Sequence, residues 1–189
     1  MWETDASHPE WAERAAAEGW EYAACTVRRG LGSPPAPRPA PPGLRCRALV
    51  GDADWQVALE VALAAHGISE PAFMTWARGQ LRARVEAGEA WAFGAFVDGA
   101  LVASCGLVFG AGEARFQDVG VRPDQQGRHV GSHLIHTALA RLHAERPGTP
   151  AFICADRETR ADRVYAAQGM ALVGHTHCLV LPISPDEVA

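Results

Sequence analysis

The chain has 189 residues and a formal net charge of −5, and 48% of its residues are hydrophobic while 21% are charged. These values are typical of one globular domain and leave little room for two full domains. The negative charge argues against an electrostatic grip on DNA or RNA, because nucleic-acid binding needs clustered positive charge.

The cysteines and the N-terminus are typical of a cytoplasmic protein. The five cysteines lie far apart and form no CxxC pair, as expected of reduced cytosolic thiols. The first twenty residues carry acids early and no apolar run, so no signal peptide is predicted. No stretch approaches the roughly 18 apolar residues of a membrane span. We therefore expect a cytoplasmic protein with no membrane and no nucleic-acid partner.

An N-terminal appendage, residues 1–43, is predicted to precede the main domain, residues 44–189. A helix over 8–19 and a strand over 20–29 come before GSPPAPRPAPPG, a segment that favours extended polyproline II. The segment either links a loosely attached piece or connects a strand that docks on the main sheet. We favour docking, because a lone helix and strand cannot bury a core.

The main domain alternates between strand and helix patterns. A strand over 44–50 precedes two helices, which end at Gly67 and Gly88. The hydrophobic period then changes to two on both sides of Asp98-Gly99, a dipeptide typical of tight hairpins. Further elements are predicted at 114–121 (strand), 131–145 (helix), 151–156 (strand), 159–169 (helix) and 171–183 (strand). This order predicts one mixed, mostly antiparallel α/β sheet flanked by helices, with no apparent internal repeat.

Small and basic residues, QQGRHVG, directly precede the helix over 131–145. The first turn of a helix leaves backbone N–H groups unpaired, and together with the helix dipole they attract anions. Gly127 and Gly131 would let a ligand approach closely, and Arg128 would add charge. The stretch is either a phosphate-binding loop or a plain polar turn, and it lacks the Walker pattern.

The run FQDVGVRPDQQGRHVGSHLI resembles the acetyl-CoA-binding motif of the GNAT N-acetyltransferase superfamily. In that motif a strand ends in Val-x-Pro, and a loop of the form [QR]-x-x-G-x-[GA] precedes a helix. Residues 121–123 and 126–131 fit these positions, except that His129 stands where the motif has its first Gly. A positive φ at His129 would cost about 1–2 kcal/mol, whereas a right-handed conformation would cost little.

The run RETRADRVYAAQGMALVG is similar to the later motif of the same family. Its positions are filled in order by Ala161, Tyr165, Gly169 and Met170. Glu158 stands where the family often has Asn. The resemblance covers residues 44–183 and hardly any of residues 1–43.

The resemblance implies an acyl-CoA N-acyltransferase fold in which acetyl-CoA lies between two splayed parallel strands, 114–121 and 151–156. Main-chain groups of the first strand would pair with the pantetheine arm, Gly120 would keep that strand edge open, and backbone N–H groups of 126–132 would hold the pyrophosphate. The implied cofactor-binding residues are Val119, Gly120, Val121, Gln126, Gly127, Arg128, His129, Val130, Gly131 and Ser132.

The implied reaction transfers an acetyl group from acetyl-CoA to a primary amine of a small molecule or peptide. Tyr165 would protonate the CoA thiolate as general acid, or else pack on the core face of its helix. Asp118 would be the base, or else a surface carboxylate paired with an arginine, Arg115 or Arg122. Weaker candidates for the base are Glu113 and Glu70, and the alternative to any single base is a chain of water molecules. The alternative function is a catalytically weak acyl-CoA-binding sensor or interaction module. Within the enzyme class, the alternative is a longer acyl donor such as succinyl-CoA.

Acceptor recognition in this family comes mostly from the first two helices and their loop. The residues of interest there are His66, Glu70, Phe73 and Trp76, with Trp91 on the next strand, and we expect Phe73 and Trp76 in the core rather than the pocket. Residues 1–43 either cover the acceptor site or extend the sheet into a homodimer.

No metal site is expected, because zinc needs three or four converging ligands. Helical spacing relates the histidines at 129, 133 and 136. Of these, His133 and His136 flank an apolar stripe and are expected in solvent. His175 and His177 alternate on the last strand beside Cys178.

Overall fold

The computed structural model describes residues 2–5, 10–68, 71–156 and 159–180, with backbone alone for 2–5, 10–13, 21–24 and 177–180. This part of the chain contains eight strands and five α-helices. The strands are β1 (Trp2–Asp5), β2 (Glu21–Gly30), β3 (Leu44–Ala48), β4 (Ala90–Val97), β5 (Ala100–Phe109), β6 (Ala114–Val121), β7 (Ala151–Asp156) and β8 (Ala171–Val180). The helices are α1 (Glu10–Ala17), α2 (Gly51–His66), α3 (Pro71–Glu86), α4 (Val130–Glu145) and α5 (Arg160–Ala167).

One eight-stranded sheet has the order β1-β8-β2-β7-β6-β5-β4-β3. Every neighbouring pair is antiparallel except β6 and β7, which run parallel. The predicted fold class, a mixed and mostly antiparallel sheet flanked by helices, is confirmed. The elements after residue 43 match their predicted bounds within a few residues, whereas β1 was not predicted.

Two apolar clusters cover the sheet. The first is built on α4, whose stripe of Leu134, Ile135, Ala138, Leu139 and Leu142 is at most 5% exposed. The second lies under α2 and α3 and includes Val61 and Leu81. Residues of β4 and β5 belong to both clusters, so helices pack on both faces of the sheet at these two strands. Strand β6 lies next to β5 in the same sheet.

The docking of the N-terminal strand is confirmed, because β2 pairs antiparallel with β7 on one side and β8 on the other. The proline-rich segment, residues 32–43, then carries the chain from β2 to β3 at the far edge of the sheet. The predicted division at residue 43 stays a prediction, and residues on both sides of it share one sheet.

The sequence shows no apparent repeat, but the structure contains one: β1–α1–β2 repeats β7–α5–β8. Helices α1 and α5 have eight residues each and strands β2 and β8 have ten each, and a shift of 150 in residue number carries one set of bounds onto the other. The turns after the helices match under the same shift. The N–H of Trp20 donates to the carbonyl of Ala15 at 2.9 Å, and that of Met170 to Tyr165 at 3.2 Å.

Strand registers relate the two units by a pseudo-twofold axis between β2 and β8. Cys25 faces Thr176 and Thr26 faces His175, so exchanging the units maps this pairing onto itself. The register of β1 against β8 is likewise that of β7 against β2, shifted by 150 residues. The repeat is not apparent in the sequence because the two units share few side chains. The identical pairs within 10–30 and 160–180 are Ala16/Ala166, Ala17/Ala167, Gly19/Gly169 and Thr26/Thr176.

Candidate active site

The site is built where the parallel strands β6 and β7 separate. They pair only through Ala114 with Ala151 and Arg115 with Phe152, although each strand continues well past this point. The opening forms a cleft of about 940 Å³. That volume lies at the upper end of the range of about 300–1,000 Å³ for small-molecule sites. The predicted splay of two parallel strands is therefore confirmed.

Most of the sequence-predicted site residues line this cleft. They are Asp118, Val119, Gly120, Val121, Gln126, Gly127, His129, Val130, Gly131, Ser132 and Tyr165. Arg128 is the exception: its Nη1 donates to Oε1 of Gln125 at 2.7 Å, and its side chain does not line the cleft. The fold thus brings together the end of β6, the loop before α4 and one face of α5.

The loop before α4 offers unpaired backbone donors to the cleft. The first helical hydrogen bond of α4 is donated by the N–H of His133 to the carbonyl of His129, at 3.1 Å. The N–H groups of residues 130–132 precede it and have no helical partner. Because these residues line the cleft, their donors and the helix dipole can hold an anion there.

His129 caps α4 in the left-handed conformation, with φ 62° and ψ 9°, and its side chain makes no capping hydrogen bond. His129 therefore adopts the left-handed conformation, which costs more free energy than the right-handed one. We expect His129→Gly to raise the free energy of unfolding by about 1 kcal/mol, because relief of strain exceeds the added freedom of the unfolded chain. Thermal unfolding should show a melting temperature higher by roughly 2–4 °C. An unchanged or lower value would contradict strain at this residue.

Two arginines that were not among the predicted site residues line the cleft and bring positive charge to it. Arg160, on the first turn of α5, lies beside the loop that precedes α4. A Cβ added to Gly127 of that loop would be 3.2 Å from Nη2 of Arg160. Arg38 lines the cleft from the proline-rich segment, together with Pro35. No local pattern marks either arginine, because each reaches the cleft only through the tertiary fold. Part of residues 1–43 is thus a wall of the cleft.

Tyr165 lies both in the core and at the cleft. It is 5% exposed, it belongs to the apolar cluster under α4, and it also lines the cleft. Burial raises the pKa of its hydroxyl. The phenol therefore stays protonated at neutral pH, which a general acid requires.

Asp118 sits on a β-bulge of β6. Ser104 faces Gly120 while Gly106 faces Gln117, so two residues of β6 oppose one residue of β5. Asp118 has a φ of 52°, in the left-handed region. Bulges beside active sites commonly redirect a side chain, and here the bulge leaves Asp118 in the cleft wall.

The partner of Asp118 is an arginine, but not one of the two expected from the sequence. Its Oδ2 lies 2.7 Å from Nε of Arg78, a side chain of α3 that is 4% exposed, and its Oδ1 lies 3.3 Å from Nε2 of His66. Arg78 also donates to Oγ of Ser104 at 2.9 Å. Burial lowers the pKa of Arg78, and the Asp118 carboxylate opposes that shift. Arg122 instead binds Asp124.

Of the other candidates for the base, Glu113 is less well placed than Asp118. Glu113 lies 3.6 Å from Arg29 and does not line the cleft. Glu70 lies outside the described residues.

Of the residues expected to contact the acceptor, His66 lines the cleft. A Cβ on Gly120 would lie 2.9 Å from the Cβ of Ala65. The missing side chain at Gly120 therefore lets α2 pack closely against β6. The core placement of Phe73 and Trp76 was wrong: they are 66% and 61% exposed because α3 buries its opposite face. Trp91 does not line the cleft, and its ring packs against Arg141.

Within the described residues, no three His, Cys, Asp or Glu side chains are placed to hold a metal ion. His133 and His136 are half-buried rather than solvated, with one ring nitrogen each buried and unpaired. The side chains of His177 and Cys178 lie outside the description. None of the helices in the described ranges is long and apolar enough to cross a membrane.

Comparison with known proteins agrees with this architecture. The family model described as the acetyltransferase (GNAT) family matches residues 55–170, more than half of the chain. The chain therefore belongs to the GNAT acetyltransferase family, as its two motifs indicated. No curated protein matches it with significance.

Solved structures share the fold at low identity. A GCN5-related N-acetyltransferase from Sphaerobacter thermophilus is 22% identical with a TM-score of 0.73, and the match covers 95% of this chain and 59% of that one. One from Kribbella flavida is 17% identical with a TM-score of 0.64, covering 93% and 65%. A tandem GNAT protein from the clavulanic acid pathway is 20% identical with a TM-score of 0.61, covering 93% and 60%. The chain thus spans about three fifths of the length of these relatives.

Proposed function

We propose that this chain transfers an acetyl group from acetyl-CoA to a primary amine of a small molecule or peptide. One observation carries the proposal: a buried tyrosine, Tyr165, lines the cleft between the separating parallel strands of a GNAT fold. The wide spacing of the cysteines favours a cytoplasmic location, and the net negative charge argues against a nucleic-acid partner.

In this proposal acetyl-CoA lies along the cleft. Its pantetheine arm pairs with main-chain groups of β6 near Val119 and Val121, where β7 no longer pairs. Its pyrophosphate accepts hydrogen bonds from the N–H groups of residues 130–132. Arg160 adds positive charge beside the loop that precedes α4, and Arg38 adds positive charge to the lining of the cleft, which suits a ligand that carries several phosphate groups.

The reaction is attack of a neutral amine on the thioester carbon. The C–N bond forms, the C–S bond breaks, and the leaving thiolate takes a proton from the Tyr165 hydroxyl. The proton lost by the amine goes to Asp118, directly or through water. His66 lies 3.3 Å from Asp118 and is 39% exposed, so it can pass that proton to solvent.

Thermal unfolding with acetyl-CoA, with CoA and with ADP tests the binding half of the proposal. At a ligand concentration about 100 times Kd, binding adds about 2.7 kcal/mol to the stability of the folded state. For a chain of this size the melting temperature should rise by roughly 5–10 °C with acetyl-CoA and CoA. Absence of any shift at millimolar ligand would reject the proposal.

Catalysis is tested by release of free CoA thiol in the presence of a broad panel of amines. Turnover with one class of amine would support the acetyltransferase and identify its acceptor class. Tight binding without turnover on any amine would instead favour the second candidate, an acyl-CoA-binding sensor or interaction module. The departure from the family motif at His129 is the observation that favours this second candidate.

A further inference from the structure

The two units related by the pseudo-twofold axis share a backbone plan but differ in chemistry. Ala15 of α1 occupies the position that Tyr165 occupies in α5, and Ala12 occupies the position of Asp162. The first unit therefore has no tyrosine at the position equivalent to Tyr165. Its strand β2 instead contacts the helix of the second unit.

Side chains of β2 hold both ends of α5. In the first helical turn, Oδ1 of Asp162 accepts from Oγ1 of Thr26 at 2.6 Å and from Nε of Arg28 at 2.5 Å. The other oxygen of Asp162 accepts from Nη2 of Arg28 at 3.0 Å. Beyond the last turn, Nη1 of Arg28 donates to the carbonyl of Met170 at 3.2 Å. One arginine thus bridges the start and the end of the helix that carries Tyr165.

The bridge is a charge-assisted, bidentate pair in a largely buried setting. The side chains of Arg28 and Asp162 are 15% and 11% exposed, and hydrogen bonding to Arg28 lowers the pKa of Asp162 to about 2. Across the axis the equivalent positions hold Cys178 and Ala12, which cannot form an ion pair. The bridge is therefore specific to the side of the axis that has the tyrosine.

We infer that Arg28 and Asp162 are positioning residues for Tyr165, and that the repeated N-terminal unit serves as a support for the helix of the acid. A helix of eight residues is too short to hold its own geometry, so its tertiary contacts decide its orientation. Misplacement of a reacting group by about 1 Å can lower a rate by about a hundredfold. The inference rests on the proposed function of Tyr165.

The test uses Arg28→Met, Asp162→Asn and their double variant in the full chain, assayed well below each melting temperature. Each single variant should lower kcat about ten- to a hundredfold while KM for acetyl-CoA changes little. The double variant should be no worse than the more impaired single variant, because both remove one bridge. Arg28→Lys, which keeps the charge, should recover part of kcat. Unchanged kcat in the folded single variants would overturn the inference.

Arg47→Met is the matched control, because Arg47 forms a similar bidentate pair with Asp54 on the far side of the fold. It should leave kcat unchanged. A second readout does not need turnover: nitration of tyrosine by tetranitromethane at neutral pH, located by peptide mass spectrometry. Tyr165 is 5% exposed in the intact fold, so loss of the bridge should let it react faster than in the wild type. An unchanged nitration rate of Tyr165 in Arg28→Met would overturn the inference. Failure to acetylate any amine would instead reject only the proposed function.

Discussion

Replacement of Tyr165 by Phe is expected to lower kcat by roughly one to three orders of magnitude, the size of effect typical of losing a general acid. The affinity for acetyl-CoA should change little, because the phenyl ring keeps its place in the apolar cluster. Without the hydroxyl, the CoA thiolate must leave unprotonated or take its proton from water.

Steady-state kinetics and isothermal titration with acetyl-CoA would measure the two quantities separately. Tyr22→Phe is the control, since the chain has only two tyrosines and this one lies on β2. Because burial raises the pKa of Tyr165, the acid form persists well above neutral pH, and kcat should show no loss from its ionisation there. Equal turnover in Tyr165→Phe and the wild type would place the acid elsewhere.

Replacement of Asp118 by Asn should lower the free energy of unfolding by about 3–5 kcal/mol, because the guanidinium of Arg78 would remain buried without its counter-charge. Urea unfolding would measure the loss. Glu145→Gln, which breaks an exposed pair with Arg141, is the control and should change stability little. If Asp118→Asn were as stable as the wild type, the ion pair between Asp118 and Arg78 would not offset the free-energy cost of burying Arg78.

The double variant Arg78→Met, Asp118→Asn separates the two roles of Asp118. Removing both charges should restore most of the stability, because no unpaired charge stays buried. If Asp118 is the base, the restored protein should still turn over slowly. Recovery of full turnover together with stability would show that Asp118 acts only through its pair with Arg78, and the base would then be sought in a water chain or His66.

Local signals in the chain were sufficient for the elements that surround the cleft. Asp98 and Gly99 both adopt positive φ, as the hairpin pattern requires. Gly67 ends α2 in the left-handed conformation, and β7 covers the six residues of its predicted range. These features depend on backbone preferences and hydrophobic periods within short windows, which neighbouring residues decide.

Contacts between segments far apart in the chain could not be predicted from such short windows. Arg78 is not predicted as a site residue, because nothing near it on α3 indicates that the Asp118 carboxylate of β6 lies 2.7 Å away. Arg28 and Asp162 are separated by 134 residues, and their pairing depends on the insertion of β2 beside β7. The exposure of Phe73 and Trp76 likewise depends on which face of α3 meets the sheet.

The sequence by itself determined the family, the order of the main elements, the loop before α4 and the tyrosine at the cleft, because these depend on local spacing and on two short motifs. Only the tertiary structure decided the pseudo-twofold repeat, the arginines at the cleft and the partner of Asp118. The repeat is preserved in backbone hydrogen bonds and strand register, which many different side chains can support. The charges are brought together by strand order, and strand order is fixed by packing over the whole sheet.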